Sequence, residues 1–223
     1  MCVLIYKIYF NKDFGNLFIL VFYSFFCIKL IKRIMKRILI FASGSGTNAE
    51  NIIKYFENRS SGTVVSVFSN NSGAGVLEKA KKLAVPTIIF SKEELNSGKV
   101  LQSVGQFQPD LIVLAGFLLK FPDDLIEAYP NQVVNIHPAL LPKFGGKGMY
   151  GMHIHKAVVE NKENETGITI HYVNENYDEG NIIFQQSVSL SEIDTPESVA
   201  AKIHELEQNH FPEIIEQLLL NKL

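Results

Sequence analysis

The chain has 223 residues, with 21 Lys and Arg against 23 Asp and Glu and a hydrophobic content of 47%. That length fits one domain, or one domain with an extension, and a net charge of −2 leaves no basic footprint for a nucleic-acid binder. Its 2 cysteines, Cys2 and Cys27, both precede Met35, which excludes a disulfide framework or a cysteine-ligated metal site in the main body and suits a reducing cytoplasm.

The averages hide a break near residue 35. Residues 1–34 carry Lys7, Lys12, Lys29, Lys32 and Arg33 against one acid, Asp13, so this segment is at +4 and the remainder at −6. Leu17 to Leu30 is an aromatic-rich apolar run. Its uninterrupted part falls short of the ~20 residues of a spanning helix, and no small-x-small cleavage pattern precedes Lys32. Against an anchor or a cleaved signal we therefore favour a leader ahead of a true start at Met35. The division expected is an apolar extension over 1–34 and one domain over 35–223, with no membrane association for that domain.

Arg37 to Ala42 reads as a buried strand. It runs through Ser43-Gly44-Ser45-Gly46-Thr47-Asn48 into a helix whose apolar positions are Ile52, Ile53 and Phe56. Strand, glycine loop and helix point backbone N–H groups at an anion. Gly44-x-Gly46-x-x-Ala49 nearly matches the dinucleotide fingerprint, but the second strand, Thr63 to Phe68, ends in Ser69-Asn70-Asn71 without the acid that would hold a ribose. No Walker lysine follows either. A phosphomonoester site or a plain tight turn remains.

The alternation continues with a helix over Val76–Leu83, a strand over Pro86–Phe90 and a polar helical stretch to Phe107. A buried strand at Asp110–Ala115 then opens into Gly116–Pro122, where Leu118, Leu119 and Phe121 suit an apolar pocket wall or ordinary core. Such alternation predicts an α/β fold with a doubly wound, mostly parallel, Rossmann-like sheet. Ligands sit beyond the carboxyl ends of such strands, so the loops at 43–48, 116–122 and 135–145 are expected to share one edge.

After the short strand signal Val133-Val134 comes Asn135-Ile136-His137-Pro138-Ala139-Leu140-Leu141-Pro142. Positions i and i+2 of a strand project to one face, so Asn135 and His137 are placed to aim at one reacting atom. Gly145–Gly151 is glycine-rich. The next helix carries His153 and His155, a pair without a nearby third ligand for zinc. Gly167–Val173 and Ile182–Val188 read as a C-terminal strand pair joined by the acidic connection Asn174–Gly180. Thr195-Pro196 starts a long C-terminal helix with Ile203, Leu206, Ile214 and Leu218 on its apolar side.

Together these residues resemble the formyltransferase superfamily that uses 10-formyltetrahydrofolate, over essentially all of residues 36–220. Ser43–Asn48, Leu114-Ala115-Gly116-Phe117, Asn135–Pro142 and His171–Gly180 with Asp178 carry the resemblance. It is nearest to the branch acting on phosphoribosylglycinamide in de novo purine synthesis. The resemblance implies a catalytic set of Asn135, His137 and Asp178. It implies a phosphate cradle at Gly46, Thr47 and Asn48 with Glu207 near the ribose-phosphate end. Folate contacts are implied at Leu118, Leu119, Lys120, Phe121 and Asn135, with Lys92 at the glutamate tail. No metal is called for. Asp178 is expected beside His137, favouring the imidazolium and raising its pKa.

The chain departs from the pattern in having Leu119 and then Lys120 where relatives often carry a basic residue, and Asp178-Glu179-Gly180 for Asp-Gly-Gly. A methionyl-tRNA formyltransferase is expected to carry a further basic C-terminal domain, and a formyltetrahydrofolate hydrolase an N-terminal regulatory one. A non-catalytic phosphate- or nucleotide-binding module is the rival from another class.

Overall fold

Strand β1 (Lys36–Phe41) has no polar residue after Arg37, and four of its six residues are buried. A strand of that kind needs cover on both faces, and the computed structural model, which describes residues 35–223, supplies it. The leader expected at 1–34 lies outside the described residues. Ile38 and Ile40 join a core with helices α1 (Thr47–Phe56), α2 (Gly75–Lys82) and α7 (Pro196–Leu219). Leu39 and Phe41, the alternate positions, join a second core with α3 (Lys92–Asn96), α4 (Lys99–Phe107) and α5 (Asp123–Ala128). Phe41 is fully buried among the rings of Phe68, Phe90, Phe117 and Phe121, at centroid distances of 5.1, 5.8, 5.4 and 5.2 Å.

One sheet of seven strands runs in the order β3-β2-β1-β4-β5-β6-β7. β2 (Gly62–Ser69), β3 (Thr87–Ile89), β4 (Leu111–Leu114) and β5 (Val133–His137) are parallel with β1. β6 (Glu165–Tyr172) and β7 (Ile182–Ser189) extend the same sheet antiparallel, after α6 (Met152–Glu160). The doubly wound, mostly parallel expectation therefore holds, and the C-terminal strand pair is a continuation of the sheet. The polar stretch expected as one helix is two, because Gly98 at φ 77° breaks it. α7 starts as its sequence dictates: the Thr195 hydroxyl accepts from the Ser198 N–H, and Pro196 follows. Among the described residues no helix is long and apolar enough to cross a membrane.

Candidate active site

The strand order reverses between β1 and β4: the chain leaves β1 for β2 and β3 on one side, then returns to place β4 on the other. Two adjacent loops diverge at such a point and leave a crevice beyond the strand ends. Ser43 holds the crevice together. Its N–H donates to Gly116 O at 3.0 Å, its hydroxyl donates to Asn70 Oδ1 at 2.6 Å, and the same oxygen accepts from Leu118 N–H at 3.0 Å. A cavity of about 640 Å³ opens here. Its walls are Gly44–Asn48, Ala115–Leu118, Asn135–Pro138, Gly146–Gly151, His155, Tyr177, Asp178 and one face of α7. The three loops expected to share an edge do so.

At one end lies the start of α1. Gly46 is its N-cap at φ 73°, and no side chain caps it. The first-turn N–H groups therefore face the cavity region without side-chain acceptors, which is the chemistry of an anion cradle. Only glycine fits at 46, since a Cβ there would lie 2.5 Å from Val76 Cβ and 2.6 Å from its Cα. Asn48 Nδ2 donates to Glu207 Oε2 at 2.9 Å, and Gln208 Nε2 donates to Asn48 Oδ1 at 2.8 Å, tying the cradle to α7. Burial pushes the Glu207 carboxyl above its ordinary pKa, against the opposing pull of Asn48 and His204.

At the other end the antiparallel register assembles the polar cluster. Asn135 pairs with His171 and His137 with Thr169, and residues paired in this way share a face of the sheet. Asn135 Nδ2 lies 3.1 Å from His171 Nε2. His171 Nδ1 lies 2.8 Å from Tyr172 O, so its proton goes there, leaving Nε2 as the acceptor for the Asn135 amide. His137 Nε2 donates to Phe144 O at 2.8 Å, which turns Nδ1 toward Asp178 Oδ1 at 3.6 Å. The same carboxylate oxygen is 3.7 Å from His171 Nε2, and Gly146 N–H donates to its partner Oδ2 at 2.9 Å. Asp178 itself sits at φ 58°, in the left-handed region that Asp tolerates better than most residues.

Burial governs the charges. It pushes the Asp178 carboxyl up, but the two imidazoles and the Gly146 N–H together hold it below the usual carboxylate value. His137 is 3% exposed. Burial lowers its pKa, and Asp178 offsets this only in part, so the net shift is downward. The expected rise is thus corrected: the carboxylate is in place, but desolvation is the larger effect.

Asn135, His137 and Asp178 are brought together, and so are Gly46, Thr47, Asn48 and Glu207. The expected folate set divides. Leu118 lines the cavity and is 53% exposed. Phe121 is instead packed in the core beneath it, Leu119 packs against that core, and Lys120 pairs with Asp123 at 3.1 Å. Lys92 is an exposed residue of α3 away from the cavity lining. Phe117 takes the lining position given to Phe121. His171, Lys147 and His204 were not assigned roles from sequence. Only the antiparallel pairing brings His171 to Asn135, and no motif announces it. Among the described residues no group of three His, Cys, Asp or Glu is arranged to hold a metal ion.

The formyl transferase family profile matches residues 36–215, and the chain belongs to that family. It is 36% identical over 187 residues to a chloroplastic phosphoribosylglycinamide formyltransferase of Arabidopsis thaliana, covering 81% of this chain and 64% of that protein. The chain thus spans less than two thirds of the length of this plant relative. It is 32% identical over 191 residues to the phosphoribosylglycinamide formyltransferase of Bacillus subtilis, covering 83% of this chain and 95% of that one. A crystal structure of the Streptococcus pneumoniae phosphoribosylglycinamide formyltransferase superposes with a TM-score of 0.73 at 34% identity, covering 82% and 99% of the two chains.

Proposed function

We propose that the chain transfers the formyl group of 10-formyltetrahydrofolate to the amino group of phosphoribosylglycinamide, the formylation step of purine synthesis. The observation that carries this reading is the joining of two unlike ends in one cavity. An uncapped helix start at Gly46 suits a phosphate, and the Asn135, His137, His171 and Asp178 cluster suits a reacting carbonyl.

In this reading the phosphate rests on the N–H groups of Gly46, Thr47 and Asn48, and Glu207 accepts from ribose hydroxyls. The flat folate ring needs an apolar wall, and Phe117 with the exposed Leu118 and Tyr177 supplies one. The bound folate brings the formyl carbon already activated on nitrogen. As the amine attacks, negative charge gathers on the formyl oxygen. One Asn135 amide hydrogen is committed to His171, and the second is free to donate to that oxygen. A preorganised donor of this kind is worth roughly 3 kcal/mol.

The attacking amine must also lose a proton, and the departing folate nitrogen must gain one. His137 Nδ1 rests largely neutral because of burial and faces the Asp178 carboxylate. A proton taken up at Nδ1 gains the carboxylate as counter-ion, which holds it until the leaving nitrogen accepts it. His137 and Asp178 then act as one proton-holding pair. The free co-substrates require no membrane, and we place the reaction in the cytoplasm, which fits the cysteine-free sequence from residue 36 onward.

The test is to mix the full chain with 10-formyltetrahydrofolate, with and without phosphoribosylglycinamide. Deformylation that depends on the glycinamide and is lost in His137→Ala is the expected result. Deformylation without the acceptor would favour hydrolysis, and a folded protein inert in both mixtures would refute the reading.

A further inference from the structure

One buried polar side chain in the cavity wall has no part in the chemistry above. His155 lies one turn into α6 and is 6% exposed. Its Nδ1 is the one sealed side-chain polar atom among the described residues that lacks a hydrogen-bond partner. Its ring nevertheless lines the cavity. Folded proteins seldom leave a buried imidazole unpaired; the sealed Nδ1 cannot be reached from the cavity, so a bound molecule meets this ring only at Nε2. Its neighbour His153 differs, being exposed and stacked edge-on against Tyr150 at 5.3 Å.

The position decides which nitrogen matters. Nδ1 is sealed without an acceptor, so a proton there would be buried unmatched. The neutral ring therefore carries its proton on Nε2, the nitrogen left to meet a bound molecule. Burial also pushes the imidazole pKa below its ordinary value. In its neutral form His155 is thus a donor at Nε2.

Its helix is tied to the phosphate end of the cavity through α7. α6 packs against α7, and α7 contributes Ala200, Ile203, His204 and Glu207 to the same cavity. The Asn48–Glu207 hydrogen bond ties that helix to the start of α1. Phe117 and Leu118, the apolar part of the lining, come instead from the loop after β4.

We propose that His155 is a binding residue for the phosphoribosyl part of the acceptor, donating from Nε2 to a phosphate or ribose oxygen. This rests on the acceptor assigned under the proposed function. The contact would help to make the site specific for a sugar phosphate, leaving formyl-donor affinity to other residues.

The experiment measures equilibrium binding of phosphoribosylglycinamide to the full chain by calorimetry, without formyl donor, for wild type, His155→Gln and His155→Leu. Gln reaches the Nε2 position with a donor, and Leu fills the space without one. Gln is expected to stay within about 2-fold of wild type, and Leu to bind about 10-fold more weakly, the size of one lost hydrogen bond. Competition by ribose 5-phosphate should weaken in parallel, while KM for 10-formyltetrahydrofolate stays unchanged. If His155→Leu fails to fold, His155→Asn replaces it, because its amide stops short at the Nδ1 position and should show the same loss. Unchanged binding in the donor-less variant overturns the proposal, as does equal weakening for both co-substrates or undiminished competition by ribose 5-phosphate. Wild-type protein that binds no phosphoribosylglycinamide overturns the acceptor assignment itself, and this inference with it.

Discussion

Asn135 and His171 stand opposite each other across the β5–β6 pair, the amide nitrogen 3.1 Å from Nε2. Since Tyr172 O takes the His171 proton on Nδ1, the ring presents a lone pair and fixes which way the Asn135 amide faces. Asn135→Ala is expected to lower kcat by about 10²–10³. His171→Phe, which leaves the donor present but unheld, should cost about 10–100-fold. The double variant should be little worse than Asn135→Ala alone, because the ring acts through the amide. Additive losses in steady-state kinetics would mean that His171 acts independently.

The buried histidines set a pH dependence of stability. Burial lowers the pKa of His137, with Asp178 opposing it, and burial lowers that of His155. An unfolded chain takes up these protons near the ordinary value of 6.5. The neutral rings therefore contribute stability that is full above pH 6.5 and lost as pH falls from there through the folded values. Asp178, depressed below 3.8, adds stability that is lost only as pH falls further still. The thermal midpoint should decline between pH 7.5 and pH 5.5, and less steeply in His155→Gln. An equal slope in that variant would remove His155 from the account.

Gly46 has no substitute. A Cβ there meets Val76 side-chain and backbone atoms, and φ is 73°. Gly46→Ala should destabilise the fold by at least about 1–3 kcal/mol from backbone strain alone, and it should weaken phosphoribosylglycinamide binding more than folate binding. Urea denaturation and the two KM values are the measurements. An unchanged midpoint would mean that the α1–α2 contact yields easily.

Thr169 is fully buried, and its hydroxyl is saturated. It donates to Ala139 O at 2.7 Å and accepts from Leu141 N–H at 3.0 Å and Gln185 Nε2 at 2.9 Å. Thr169→Val keeps the shape and strips these partners, which should cost about 1–3 kcal/mol, whereas Thr169→Ser should retain most of the stability. Comparable denaturation midpoints for both variants would contradict this.

Much of the architecture was legible because β1 and β4 are buried on both faces and read as continuous apolar runs, and because Asn135 and His137 share the strand that Val133-Val134 announces. What escaped the sequence depends on partners distant along the chain. The opposition of Asn135 and His171 follows from an antiparallel register that no local pattern encodes. The loop after β4 has no periodicity, so nothing distinguished Phe117, which faces the cavity, from Phe121, which faces the core. Lys120, a folate contact by resemblance, instead pairs with Asp123, and that pairing is set by how α5 begins. The His137 pKa was misjudged because charge proximity was inferred and depth of burial was not.

The antiparallel attachment of β6 also bears on the order in which the protein becomes competent. The crevice, the helix start at Gly46 and the Asn135–His137 strand all come from the first half of the described chain and the strands that follow it directly. Asp178, His171 and Glu207 come from what is made later. A nascent or truncated chain ending before β6 would carry the Gly46 cradle with neither the carboxylate nor the ring that holds the amide. The ribose-phosphate end is likewise incomplete until α7 brings Glu207 to Asn48, so both ends of the site are assembled only once the C-terminal third has closed the sheet.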